Sequence, residues 1–204
     1  MIRRAFLLSA TACLLTAGCV GGSSAPQGPF FHLLPPAPAP APLSAPLSGM
    51  EVGLREVRLP RYAVDERLSI LQPDGVALRE EYQRWAEDPT RAVSQNLAEA
   101  LRAASGAAVA LEPWASGFEP DRRVEVEFTR LIGAPGGTLE ASGVWRVLEG
   151  RRGRELLSEP FRLDLAVGPG YEGLMRAHAA SLGALAELLA QALARSGPLE
   201  PAGF

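Results

Sequence analysis

The 204-residue chain contains no lysine; all 20 of its basic residues are arginine. That absence removes a P-loop lysine, a Schiff-base lysine and a lysine general base. Cysteine and histidine are scarce, at two each, and aromatic residues make up 6%. Neither sign of charge dominates: 23 acids against 20 bases leave −3, which gives no electrostatic reason to expect nucleic acid. The longest uncharged apolar run near the N-terminus, Ala5–Leu15, is too short to span a bilayer, which takes about 20 residues. What the chain does have is apolar content, 47%, enough for a core in one domain, or one domain plus a tail.

Residues 1–18 read as a secretory signal: Arg3 and Arg4, then the apolar run, then small residues before Cys19. Leu15-Thr16-Ala17-Gly18-Cys19 resembles a bacterial lipobox, with Thr16 standing where leucine is commonest. Cys13 lies inside the apolar run and would leave too short a hydrophobic region. Acylation is therefore expected at Cys19. Cys13 then leaves with the signal and the mature chain holds no thiol, so no disulfide can form in the oxidising periplasm. Removing Arg3 and Arg4 moves the net charge from −3 to −5. One acyl chain anchors marginally and several hold stably. Val20 follows the cysteine where an inner-membrane retention signal would place Asp. The expected location is the periplasmic face of the outer membrane.

Residues 19–49 form a tether that holds eight prolines. Proline-rich chain extends as polyproline II at about 3.1 Å per residue, so Cys19 to Phe30 spans roughly 35 Å. An apolar island, Phe30-Phe31-His32-Leu33-Leu34, interrupts it and is expected to dock as an added edge strand, with 35–48 looping back to the domain. Residues 50–198 are expected to form the domain and 199–204 a C-terminal tail.

Within the domain, Val52, Leu54, Val57 and Leu59 suggest a strand ending at Pro60. Leu68–Leu71 and Val76–Leu78 flank the turn Pro73-Asp74-Gly75. Asp88-Pro89 opens a helix predicted over Pro89–Ser105, with its apolar face at Ala92, Val93, Leu97, Ala100, Leu101 and Ala104 and its stop at Gly106. Val109–Pro113 is a short strand. Three period-two segments follow, around Val124–Thr129, Leu139–Val147 and Phe161–Val167, joined by tight turns. Tyr171–Arg195 is a long apolar helix. The expected architecture is α+β: a mainly antiparallel sheet with a meander, covered by two helices.

Reactive constellations are sparse. The Gly133–Thr138 stretch joins two strands and reads as a hairpin turn, where a phosphate loop needs a helix N-terminus. His32 and His178 have no second His or Cys at helical spacing, so no metal or cofactor site is expected. No G-x-S-x-G elbow occurs. The acid pairs Glu80-Glu81 and Glu87-Asp88 read as a solvated face and a cap. The aromatics carry a weaker signal. Tyr82 and Trp85, three apart, suit one side of a helical turn, and Trp114 and Phe118 share a loop between Pro113 and Pro120. Core packing is their default role. The alternative is a partner-binding set comprising Phe30, Phe31, Tyr82, Trp85, Trp114 and Phe118.

The order of features resembles the ABC-type transport auxiliary lipoprotein component family, the Pqi-type lipoproteins that accompany MCE (mammalian cell entry) lipid-transport systems. The resemblance is carried by the lipobox cysteine, Phe30–Leu34 before a proline-rich stretch, and Val57-Arg58-Leu59-Pro60-Arg61-Tyr62 running to Asp65-Glu66-Arg67 and Ile70. It continues in Arg84-Trp85-Ala86-Glu87, in Val124–Phe128 followed by Gly136-Gly137 and Trp145, and in the closing Ala/Leu-rich helix. The chain departs from the family in placing Asp88 between Glu87 and Pro89, and in reading Phe-His-Leu where Tyr-Thr-Leu is favoured.

The resemblance implies a non-enzymatic part of a lipid-moving machine. The implied partner is the MCE-domain protein of an ABC-type lipid transporter, met from the membrane to which acylated Cys19 holds the chain. A homo-oligomer, a ring of copies, is one arrangement that would complete a hydrophobic path. The alternatives are a lipoprotein of an outer-membrane-protein or lipopolysaccharide insertion machine, and a membrane-tethered hydrolase.

Overall fold

The computed structural model describes residues 28–197; the signal segment, Cys19 and the tail 199–204 lie outside the described residues. The elements are β1 (Phe30–His32), β2 (Glu51–Leu54), β3 (Arg67–Leu71), β4 (Ala77–Trp85) and α1 (Pro89–Ser105). They continue with β5 (Ala108–Leu111), β6 (Arg122–Gly133), β7 (Thr138–Glu149), β8 (Glu155–Ala166) and α2 (Gly170–Arg195).

Helix α1 begins and ends where its sequence dictates. The Asp88 carboxylate accepts from the Arg91 N–H at 2.8 Å, and Pro89 occupies the first turn, where its missing donor costs nothing. Gly106 takes a left-handed φ of 71° and donates its N–H to the Arg102 carbonyl, closing the last turn.

The twelve-residue strands β6, β7 and β8 form the expected antiparallel meander. The other edge of β6 is shared by two parallel strands. β2 lies beside its start, with Val52 opposite Arg122, and β3 beside its end, with Ile70 opposite Gly133; a single Arg58–Glu127 bridge lies between. β5 extends the sheet parallel to β2, while the β3–β4 hairpin and then β1, parallel to β4, extend it on the other branch. The sheet has eight strands and is mixed, which corrects the expectation of a mainly antiparallel one. Hairpins leave a local mark in turn residues. Parallel neighbours need long crossovers, here through α1, that local spacing does not reveal.

The strand expected over Val52–Leu59 is also shorter, because β2 stops at Leu54. Val57 is still buried, and its N–H donates to the Ser94 hydroxyl of α1 at 2.9 Å.

Both helices pack on one face of the sheet. The stripe Val93, Leu97, Ala100, Leu101 and Ala104 of α1 and Leu182, Leu185, Leu189 and Leu193 of α2 bury against Val52, Leu54, Val124, Val126, Phe128 and Trp145. A fully buried Leu or Phe contributes about 1.5–3 kcal/mol, so this layer carries the stability of a chain without described disulfides. The opposite face is open and charged. There Arg55 meets Glu112 and Glu125 at 3.3 and 3.2 Å, and Arg146 meets Glu127 and Glu155 at 3.9 and 3.7 Å. Such exposed pairs are worth about 0–1 kcal/mol each; they solvate the face and add little to stability.

Residues 34–47 have no helix or strand, yet they are tied down as a strap across the helix layer. Leu34, Ala37, Leu43 and Leu47 pack on the core. The Asn96 side-chain amide donates to the Pro35 carbonyl at 2.7 Å, and the Ala41 N–H donates to the Glu187 carboxylate at 2.7 Å. The Leu43 and Leu47 N–H groups donate to the Ala104 and Ser105 carbonyls at 2.9 and 2.8 Å, satisfying acceptors that the end of α1 leaves free. Gly183 of α2 marks the crossing, since a Cβ there would lie 3.2 Å from the Pro38 carbonyl oxygen.

Candidate interaction surface

The apolar island forms β1, the outermost strand beside β4, with Phe30 opposite Gln83 and Phe31 opposite Arg84. Its hydrogen bonding holds it to the sheet without covering it. Phe31 is 61% exposed, Leu33 70% and Tyr82 50%, while Phe30 is also exposed. Only His32 turns inward: its Nε2 lies 2.7 Å from Gln83 Oε1, and its ring is 5.5 Å from that of Tyr171.

Tyr82 and Trp85 sit in strand β4 and not on a helical turn, which corrects the helical reading of their three-residue spacing. Between the pairs Arg67–Arg84 and Ser69–Arg79, β3 advances two residues and β4 five. That mismatch marks a bulge in the pairing. Tyr82 and Trp85, three residues apart in an extended strand, point to opposite faces by ordinary alternation. Tyr82 is left in solvent, and its hydroxyl, hydrogen-bonded to the adjacent Glu81 carboxylate, is pushed up in pKa. Trp85 turns into the core at 7% exposure, which removes it from any partner surface. It joins Leu68, Leu139, Leu174 and Met175, and meets the ring of His178 edge-on at 5.6 Å. His178 is fully enclosed, and burial pushes its pKa down to about 4. Burial, together with a hydrogen bond to Glu80, pushes Tyr171 up to about 12. The carboxylates of the Glu80-Glu81 pair thus serve two different tyrosines.

Trp114 and Phe118 lie together, ring centroids 6.0 Å apart, on the far branch of the sheet. Trp114 lies against β2 at Gly53, where an added Cβ would come within 2.6 Å of the indole, and the Arg123 guanidinium lies 5.7 Å from its ring centroid. Both aromatics are half-buried, so the cluster is partly packing and partly surface. The structure therefore brings Phe30, Phe31 and Tyr82 to one edge, places Trp114 and Phe118 elsewhere, and buries Trp85. Sequence reasoning left Leu33 out of the candidate set, although its place in the apolar island, next to the buried Leu34, was the available signal.

Chemistry does not converge. Among the described residues, no group of three His, Cys, Asp or Glu could hold a metal ion. The Gly133–Thr138 stretch is the β6–β7 turn, closed by the Gly137 N–H on the Ala134 carbonyl at 3.0 Å. One open groove runs between β8 and the end of α2 over Pro160, Phe161 and Leu188, with Arg195 and Glu159 paired at 3.1 Å on its rim. Helix α2 is long and apolar enough to cross a membrane, but 67% of its most apolar window is buried in this fold, as expected of a core helix.

These features define the class: a mixed-sheet α+β domain whose helix layer is strapped by its own N-terminal segment. Within that class, the chain belongs to the ABC-type transport auxiliary lipoprotein component family, whose model matches residues 31–190. The protein is thus an auxiliary component of ABC-type transport and a lipoprotein of the cell envelope. Two solved structures share the fold. A crystal structure of an uncharacterised protein matches with a TM-score of 0.65 at 19% identity, over 80% of this chain and 97% of that one. A Xanthomonas campestris protein of the family DUF330 matches with a TM-score of 0.66 at 14% identity, over 81% of this chain and 96% of that one. No relative is found among curated proteins.

Proposed function

We propose that the protein is anchored by acylated Cys19 at the periplasmic face of the outer membrane and docks there on the MCE-domain protein of an ABC-type lipid transporter. The observation that carries this reading is the family match beginning at residue 31, twelve residues after a lipobox cysteine. It joins an anchor and a transport-auxiliary domain in one chain. The work assigned to the domain is binding. The Trp114–Phe118 cluster with Arg123 beside it is the proposed contact to the protein partner, because aromatic and arginine side chains concentrate at the centres of interfaces. Cross-linking in intact envelopes is expected to capture an MCE-domain protein, and repeated failure to do so would overturn the reading. Cys19→Ser is expected to release the protein from membranes or leave its signal attached; unchanged outer-membrane fractionation would refute the anchor.

A further inference from the structure

The edge formed by β1 and the outer part of β4 combines three features. It exposes several large apolar or aromatic side chains close together: Phe31 at 61%, Leu33 at 70% and Tyr82 at 50%, with Phe30 on the same strand at 40%. By register, Phe31 lies opposite Arg84, and Tyr82 is two residues before Arg84 in β4, so Phe31 and Tyr82 share one face of the edge, while Phe30, opposite Gln83, flanks it from the other face. The charges within this edge are neutralised in pairs, Arg84 with Glu66 and Arg79 with Asp65, and the open face of the more distant strands is tiled with Arg–Glu pairs. Second, the edge is where the chain enters the fold. Only eight residues lie between Cys19 and Gly28, nine steps with a contour of at most about 32 Å at about 3.6 Å per residue. Third, the chain changes character within one residue, for Leu34 is packed on the core while Leu33 projects into solvent. The strap thus pins the fold from Leu34 onward and leaves the island facing outward.

From these we infer that Phe30, Phe31, Leu33 and Tyr82 form a membrane-contact edge that rests in the interfacial region of the bilayer holding the anchor. The chemistry suits that place. Phe and Leu bury in the acyl boundary, and Tyr keeps its hydroxyl at headgroup level. The strip is small, and its affinity for a lipid surface is weak on its own. A short tether supplies the bilayer at high effective concentration, so weak contacts suffice to fix orientation. The mature charge of −5 supplies no net attraction to anionic lipid, so the contact has to be apolar. With this edge on the membrane, the Trp114–Phe118 cluster on the other branch of the sheet stays free for the protein partner.

This inference rests on the anchoring reading, and the test separates the two. A chain lacking residues 1–19 keeps every described element, and it carries no cysteine. An N-terminal hexahistidine tag binds it to vesicles of phosphatidylethanolamine and phosphatidylglycerol containing a nickel-chelating lipid, so acylation plays no part. Leu33→Cys and, separately, Arg152→Cys in the β7–β8 turn carry a polarity-sensitive fluorophore. The label at position 33 is expected to shift to the blue and to lose most of its emission to nitroxide-labelled lipid, also at high salt; the label at 152 is expected to do neither. Phe31→Ser with Tyr82→Ser is expected to abolish the quenching at 33 while the melting temperature holds. Equal quenching at both positions, or none at 33, would overturn the membrane edge and return the strip to a protein partner. Fractionation of the Cys19→Ser chain in cells reports on the anchor alone.

Discussion

Residues 30–33 and residues 34–47 are contiguous and both apolar, yet the fold treats them as opposites. The second stretch is drawn onto α1 and α2 by Leu34, Ala37, Leu43 and Leu47 and fixed by hydrogen bonds to Asn96, Glu187 and the last carbonyls of α1. The first is held by backbone pairing to β4 and by the His32 ring, while Phe30, Phe31 and Leu33 stay exposed to water. Apolar character alone does not separate them, although the second stretch is rich in proline and the first has none. The difference lies in whether the neighbouring elements offer apolar surface and free hydrogen-bonding groups, which the helix pair does and the sheet edge does not.

That comparison can be broken at several strengths. The largest effect is expected for a chain beginning at Met50, which removes strap and edge strand together. Loss of several packed side chains, the four strap hydrogen bonds and the pairing of β1 with β4 should cost roughly 4–8 kcal/mol and lower Tm by roughly 10–25 °C. An unchanged Tm by calorimetry would mean that the strap is decoration. Next comes Trp85→Ala, which empties the second core cluster and should cost about 3–5 kcal/mol in urea unfolding. Tyr82→Ala, three residues away in the same strand, should stay within about 0.5 kcal/mol. Equal losses would contradict their placement on opposite faces of β4.

Acidification tests the same cluster. His178 titrates near 4 in the folded chain against 6.5 when free, so the unfolded state takes up a proton first. Stability contributed by this site is complete above about pH 6.5 and is lost as pH falls toward about 4, by at most about 3 kcal/mol. His178→Gln should flatten that part of the stability–pH curve; an unaltered slope would assign the acid sensitivity to other groups. The smallest contrast sets strap against edge directly. Asn96→Ala frees the Pro35 carbonyl and should cost about 1 kcal/mol, whereas Phe31→Ser should leave stability within about 0.5 kcal/mol. The reverse order would show that β1 is the tighter of the two attachments.

Much of the fold was legible in local sequence. Asp88, Pro89 and Gly106 bound α1 at the residues where the structure starts and stops it, and the alternation in Val124–Phe128 gave the meander. The parallel pairings were not legible, because β2 meets β5 and β6 across more than fifty intervening residues. The candidate surface was read in part. Phe30 and Phe31 stood out as an apolar island in polar surroundings, but the spacing of Tyr82 and Trp85 fitted a helix as well as an irregular strand. Read as a strand, the same spacing puts them on opposite faces, but nothing local to the sequence chose strand over helix.

The sequence by itself determined the absence of lysine, the expected anchor cysteine, the helix caps and the strand periods, since each depends on a residue and its near neighbours. Only the tertiary structure decided that the sheet is mixed, that the proline-rich stretch is a strap, and that Trp85 is core while Tyr82 is surface. Those outcomes depend on which distant segment supplies the facing surface, and burial free energy is set by that surface and not by the residue alone.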